Sequence, residues 1–270
     1  MKRFLLLLFS LALPSCCETV AFEVHEGFLI TATCTIGAFK NLVAVVDTGV
    51  TETTLDLRIA KRLSLTMRPD VASEGTRNAV VQAISIPNVA FGPIRSESLP
   101  GIAADLAPLT YQMGIRPDVL IGMDLLRRSA FLIDYKARII TFGASPTLKY
   151  SAQLIPEARL ALLDVVADGK KLRLQIDTGF NTILVYAGKL RTSLSQELDS
   201  HSATFALPLR AQQAEVRELQ IGNLRLKRVA AFVTDEAPAG DSGFDGLLGP
   251  RSLGIKRLSF DFDHHIVMWE

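Results

Sequence analysis

The sequence is poor in the residues that bind metals and crosslink chains. Three cysteines and four scattered histidines among 270 residues do not make a metal site, which needs ligands at short, regular spacing. Net charge is +1, from 29 Lys and Arg against 28 Asp and Glu. With no basic stripe or acidic tail, nothing directs the chain to nucleic acid. A phosphate-binding glycine loop of the Walker type and a dinucleotide fingerprint are both missing, and no cofactor is expected. The apolar run from Phe4 to Leu13 is too short to span a bilayer, which takes about 20 residues.

That run has another use. Lys2-Arg3 before it gives a positive start, and the pair reads as an export signal over residues 1–15, placing the protein in the cell envelope or periplasm. The segment ends in Leu13-Pro14-Ser15-Cys16, which resembles a bacterial lipobox, cut before a cysteine that carries lipid. Lipidation of Cys16, with membrane anchoring, stands against ordinary signal cleavage. Cys17 and Cys34 would then be free to form a bridge in an oxidising compartment, or would remain one exposed and one buried thiol.

What the sequence does contain is a repeated device. Leu42-Val43-Ala44-Val45-Val46 is a run of β-branched and small apolar residues, a buried strand, and it delivers Asp47-Thr48-Gly49 at its end. Leu172-Arg173-Leu174-Gln175-Ile176 delivers Asp177-Thr178-Gly179 in the same way. One such tripeptide turns up by chance in about one chain in twenty of this length, but further landmarks recur in the same order. Leu219-Gln220-Ile221-Gly222 answers Val89-Ala90-Phe91-Gly92, and Asp245-Gly246-Leu247-Leu248-Gly249 answers Asp118-Val119-Leu120-Ile121-Gly122. Phe260-Asp261-Phe262 answers Ile133-Asp134-Tyr135. An internal duplication follows, with an N-terminal lobe over 22–145, a linker over 146–157 marked by Pro146 and Pro156, and a C-terminal lobe over 158–270.

Within the first lobe the pattern predicts a strand over 28–36, a turn over 37–41, a helix over 56–63 and a polar hairpin tip over 70–79. Strands follow at 80–86 and 89–92, then an irregular loop over 96–117 rich in Pro and Gly. A strand, glycine and short helix over 118–126 and a hairpin over 131–142 close the unit.

These landmarks resemble the aspartic peptidases, both the two-lobed pepsin-like enzymes and the smaller dimeric retropepsins. In that superfamily an Asp-Thr-Gly loop is followed by two apolar residues and a glycine, here Leu120-Ile121-Gly122 and Leu247-Leu248-Gly249. The resemblance covers nearly all of residues 25–270. It implies a mostly β fold of two homologous retropepsin-like lobes, a bilobal acid-protease fold with a central cleft. It also implies a peptide or protein substrate held extended in that cleft. Two positions depart from the family's pattern. Val50 and Phe180 follow the tripeptides where Ala or Ser is usual, so that Phe180 is expected to crowd the cleft, and residues 70–90 lack a flap tyrosine.

The chemistry fits a pair of carboxylates. Two that lie a few ångströms apart share one proton rather than both ionising. The ionised partner can take a proton from water while the protonated one donates to the carbonyl oxygen. Asp47 and Asp177 are the expected catalytic residues, with Thr48 and Thr178 as hydroxyls tying the loops together. Gly49 and Gly179 let backbone approach without a Cβ in the way. The chain then reads as an aspartic endopeptidase, with a non-catalytic peptide-binding lipoprotein of the same fold as the alternative. Asp118, Asp245, Asp134 and Asp261 read as capping residues, and His264-His265 as a solvated turn. Gly240-Asp241-Ser242-Gly243, which looks like a serine-peptidase loop, lacks a histidine and an aspartate in a supporting context and reads as an ordinary loop.

Overall fold

The computed structural model describes residues 18–74, 77–143, 145–186, 189–190, 194–201, 208–236 and 243–270. Residues 1–15, Cys16, Cys17 and Ser242 lie outside them. The first half contributes strands β1 (Thr19–His25), β2 (Leu29–Ile36), β3 (Phe39–Val46), β4 (Thr54–Asp56), β5 (Arg68–Glu74), β6 (Arg77–Phe91), β7 (Ile94–Ala104), β8 (Val119–Ile121), β9 (Phe131–Asp134) and β10 (Ile139–Phe142). The second contributes β11 (Tyr150–Gln153), β12 (Leu162–Ala167), β13 (Lys170–Ile176), β14 (Ile183–Val185), β15 (Leu194–His201), β16 (Pro208–Ile221), β17 (Leu224–Val233), β18 (Gly246–Leu248), β19 (Arg257–Asp261) and β20 (Ile266–Trp269). Helices are short: α1 (Leu57–Arg62), α2 (Thr110–Met113) and α3 (Met123–Leu126).

The protein is mostly β, in two sheets. The strands β2-β3-β8-β4-β7-β6-β5 run in that order, and β12-β13-β18-β14-β17-β16-β15 form the second sheet in the corresponding order. Each set also closes on itself through one further pairing, β2 with β6 and β12 with β16. In each, the strand bearing the Asp-Thr-Gly loop is flanked by a parallel partner, β8 beside β3 and β18 beside β13. The first carrier strand, β3, is covered on two faces. Leu42, Ala44 and Val46 enter the main core, while Val45 turns the other way to meet Leu120, Leu106 and Met113. Burial on both faces is why the strand is a continuous apolar run and not an alternating one.

A third arrangement joins the halves. The order β11-β20-β19-β9-β10-β1 continues the first sheet, with β9 and β19 antiparallel at its middle. Phe131 and Phe260 are partners in that register, their ring centroids 4.9 Å apart.

Several expectations change. Residues 96–117 are not an irregular loop: β7 runs through Pro100 and Gly101, paired with β6 along its length. Its other neighbour, β4, begins only opposite Ile102, so around Pro100 the strand has one partner, where proline is tolerated. The stretch over 146–157 contains β11, whose partner is the distant β20. The turn at 37–41 shrinks to Gly37-Ala38, because β3 starts at Phe39. The polar stretch 70–79 is strand on both sides of 75–76, and 80–91 is one strand through Asn88, whose φ of 46° lets it continue past Pro87. β1 is not among the expected strands, although Val20, Phe22 and Val24 alternate along it and face the core. Cys34 is a free, buried thiol, pushed up to about 12 by burial and then by the charge of Asp118.

Candidate active site

The two Asp-Thr-Gly loops meet. Each aspartate is fixed first by its own sheet, where the Asp47 amide donates to the Ile121 carbonyl at 3.1 Å and the Asp177 amide to the Leu248 carbonyl at 3.0 Å. Farther down each strand, Asp118 Oδ2 accepts from the Val43 amide and Asp245 Oδ2 from the Arg173 amide, both at 2.9 Å. These two carboxylates clamp the carrier strands to their parallel partners. Asp134 accepts from the Lys136 and Ala137 amides and Asp261 from the His264 amide, so these two cap their own turns as expected, whereas Asp118 and Asp245 hold a distant strand instead.

The threonines then tie loop to loop. Thr48 Oγ1 donates to the Ile176 carbonyl at 2.8 Å and accepts from the Thr178 amide at 3.0 Å. Thr178 Oγ1 donates to the Val46 carbonyl at 2.9 Å and accepts from the Thr48 amide at 3.0 Å. Both hydroxyls are buried, and each satisfies a donor and an acceptor of the opposite strand end, which buried backbone requires.

This knot brings the carboxyls together. Asp47 Oδ1 accepts from the Gly49 amide at 2.7 Å, and Asp177 Oδ1 from the Gly179 amide at 2.8 Å. A Cβ on Gly49 would stand 2.5 Å from Asp177 Oδ1, and one on Gly179 would stand 2.8 Å from Asp47 Oδ2. Only glycine leaves room for the opposite carboxyl. Burial raises the pKa of Asp47, against the Gly49 amide and a hydrogen bond from Asp177. Burial, and then the charge of Asp47, hold Asp177 well above the ordinary carboxylate range. Two such groups cannot both ionise without cost, so one proton is retained between them.

Phe180 does not crowd a cleft. Its ring is 3% exposed and packs with Leu184, Tyr186 and Leu247. Tyr186, which the sequence did not single out, has its phenol pushed up by burial and then by the charge of Asp177. Gln175 was also overlooked. It is 2% exposed and donates from Nε2 to the Gly49 carbonyl at 2.8 Å; the one signal for it was an amide inside an apolar strand. Among the described residues no group of His, Cys, Asp and Glu could hold a metal ion.

Residues 32–125 match a family model described as aspartyl protease. That stretch is similar to an aspartyl-protease domain. It spans β3, the first Asp-Thr-Gly loop, α1 and β8 with Leu120-Ile121-Gly122, so the domain supplies one carboxyl and the clamp beneath it. No curated protein matches the chain.

Proposed function

We propose that the protein is an aspartic endopeptidase in which Asp47 and Asp177 act as one catalytic unit on a bound water. The observation that carries this reading is the pair of buried carboxyls, each pressed against the other loop's glycine and kept together by reciprocal threonine bonds. The ionised member takes a proton from water as the oxygen attacks the peptide carbonyl carbon, and the protonated member donates to the carbonyl oxygen. As the resulting diol collapses, the first member gives its proton to the amide nitrogen, the second takes a proton from a diol hydroxyl, and the C–N bond breaks, which regenerates the starting pair. An extended peptide would lie across the loops in the cleft between two lobes.

The matching strand orders of the two sheets and the recurring landmarks support a duplicated, bilobal acid-protease fold, with lobes over 22–145 and 158–270. The test of activity is cleavage of a mixed peptide library from acidic to neutral pH. Asp47→Asn and Asp177→Asn are each expected to lower kcat by 10³-fold or more, on the order of what removing a central catalytic group costs, with the fold intact by circular dichroism. Cleavage that persists in either folded variant would sink the reading.

The N-terminal reading extends this proposal to location: export on residues 1–15 and lipid on Cys16. Wild type in the membrane fraction and Cys16→Ser in the soluble fraction is the expected outcome. Equal partitioning of the two would rule out the anchor.

A further inference from the structure

The two aspartates occupy matched loops in unmatched surroundings. Two residues before Asp47 stands Val45, and two before Asp177 stands Gln175. Val45 packs into an apolar cluster and offers no donor. Gln175 crosses to the opposite loop, where its Nε2 lies 2.8 Å from the Gly49 carbonyl oxygen and 3.4 Å from that of Thr48. The Thr48 carbonyl is one end of the peptide whose other end, the Gly49 N–H, donates to Asp47 at 2.7 Å. Accepting a bond at the oxygen of a peptide strengthens donation at its N–H, because bonds in a chain polarise one another. The glycine amides themselves are matched, Gly49 N–H on Asp47 at 2.7 Å and Gly179 N–H on Asp177 at 2.8 Å, so the difference lies in what stands behind them.

We propose that Gln175 is a positioning residue that breaks the symmetry of the pair, directing the negative charge to Asp47 and the shared proton to Asp177. The inference rests on the carboxyl-pair reading above and assigns its roles: Asp47 takes the proton from water, and Asp177 donates to the substrate oxygen. The groups that bear on this charge are few. Each carboxyl faces the other. Tyr186, just after β14, feels the charge of Asp177: burial, then the charges of Asp177 and Glu236, push its phenol up. Among the described residues no cation pairs with either carboxyl.

The test is an NMR titration of aspartates labelled with ¹³C at the side-chain carboxyl, in the whole chain, and it needs no turnover. Signals are assigned with Asp47→Asn and Asp177→Asn. In wild type the first proton bound on acidification is expected to move the Asp177 signal and leave that of Asp47 nearly still. In Gln175→Met, which removes the donor at similar length, the first step is expected to divide between both signals. Where peptides are cut, kcat in this variant should fall about tenfold with KM within about twofold, and the pH profile should shift, as for a group acting on the transition state. An unchanged first step in folded Gln175→Met overturns the proposal and leaves the pair reading standing. Two wild-type signals that titrate independently near 4, the ordinary carboxylate value, overturn both. Gln175→Leu repeats the measurement if the methionine variant does not fold; failure of both to fold would make Gln175 a folding residue and overturn the proposal.

Discussion

A hydroxyl buried between two loops must satisfy groups on both, and Thr48 and Thr178 do so with one donated and one accepted bond each. Their geometry forces the carboxyls beside them to share space, and that proximity has a consequence for stability. For Asp177, whose folded-state pKa is well above its ordinary value because of burial and the charge of Asp47, the folded chain keeps a proton that the unfolded chain releases. Between the two pKa values folding takes up a proton, so stability is full below the unfolded value and falls as pH rises. Asp177→Asn mimics the protonated form and escapes this loss. Its Tm should exceed that of wild type by several degrees at pH 7, with the gap closing towards pH 4. Each tenfold difference in proton affinity is worth about 1.4 kcal/mol, and ~1 kcal/mol moves Tm by 2–4 °C in a chain of this size. A Tm gap that stays constant across this range would refute the argument. At this scale the sequence is readable where a residue repeats in register: Asp47, Thr48 and Gly49 with their counterparts. It is mute where a role depends on a partner far along the chain, as for Gln175 or Tyr186.

Elements were legible in proportion to how locally they are determined. The helix expected over 56–63 is α1, with Asp56 as its N-cap accepting from the Arg58 amide at 2.8 Å. Its second role was not legible. The other carboxylate oxygen accepts from the Leu106 amide at 3.1 Å and from Arg116 Nη2 at 2.8 Å. It thereby ties down the segment from Leu106 to Met113, which covers Val45 and Leu120 on the face of the sheet away from the main core. Asp56 is fully buried and Arg116 about a third exposed, so the pair itself is partly screened and the loss comes chiefly from stranded amides. Asp56→Ala should cost about 2–3 kcal/mol in urea unfolding, consistent with losing a cap and a buried acceptor. Exchange of the Leu106 amide should accelerate well beyond that of Val119. Equal protection at both positions would show that the segment is held by its apolar contacts alone. The misread loop over 96–117 has the same origin: β7 owes its extension to β6 and β4, partners no local pattern reports.

For the whole molecule, the repeat leads one to expect two similar units, and the stretch β2-β3-β8-β4-β7-β6-β5 of the first sheet runs in an order that corresponds to that of the second. What no repeat could disclose is the seam, in which β9 from the first half pairs with β19 from the second and Phe131 stacks near Phe260 and Phe262. Strands β11 and β10 lie outside that seam on either side, each bonded to a strand of its own half, β20 and β9. The peptide connection over 145–149 therefore carries no pairing that holds the sheet together. A nick there, through an engineered protease site, should leave two fragments that co-elute as one particle under native conditions and separate only in denaturant. Fragments that drift apart on a sizing column would mean the tether, not the seam, keeps the halves together. If they stay joined, the molecule behaves as a heterodimer that happens to be synthesised as a single polypeptide, and each half could be expressed, labelled or replaced independently of the other.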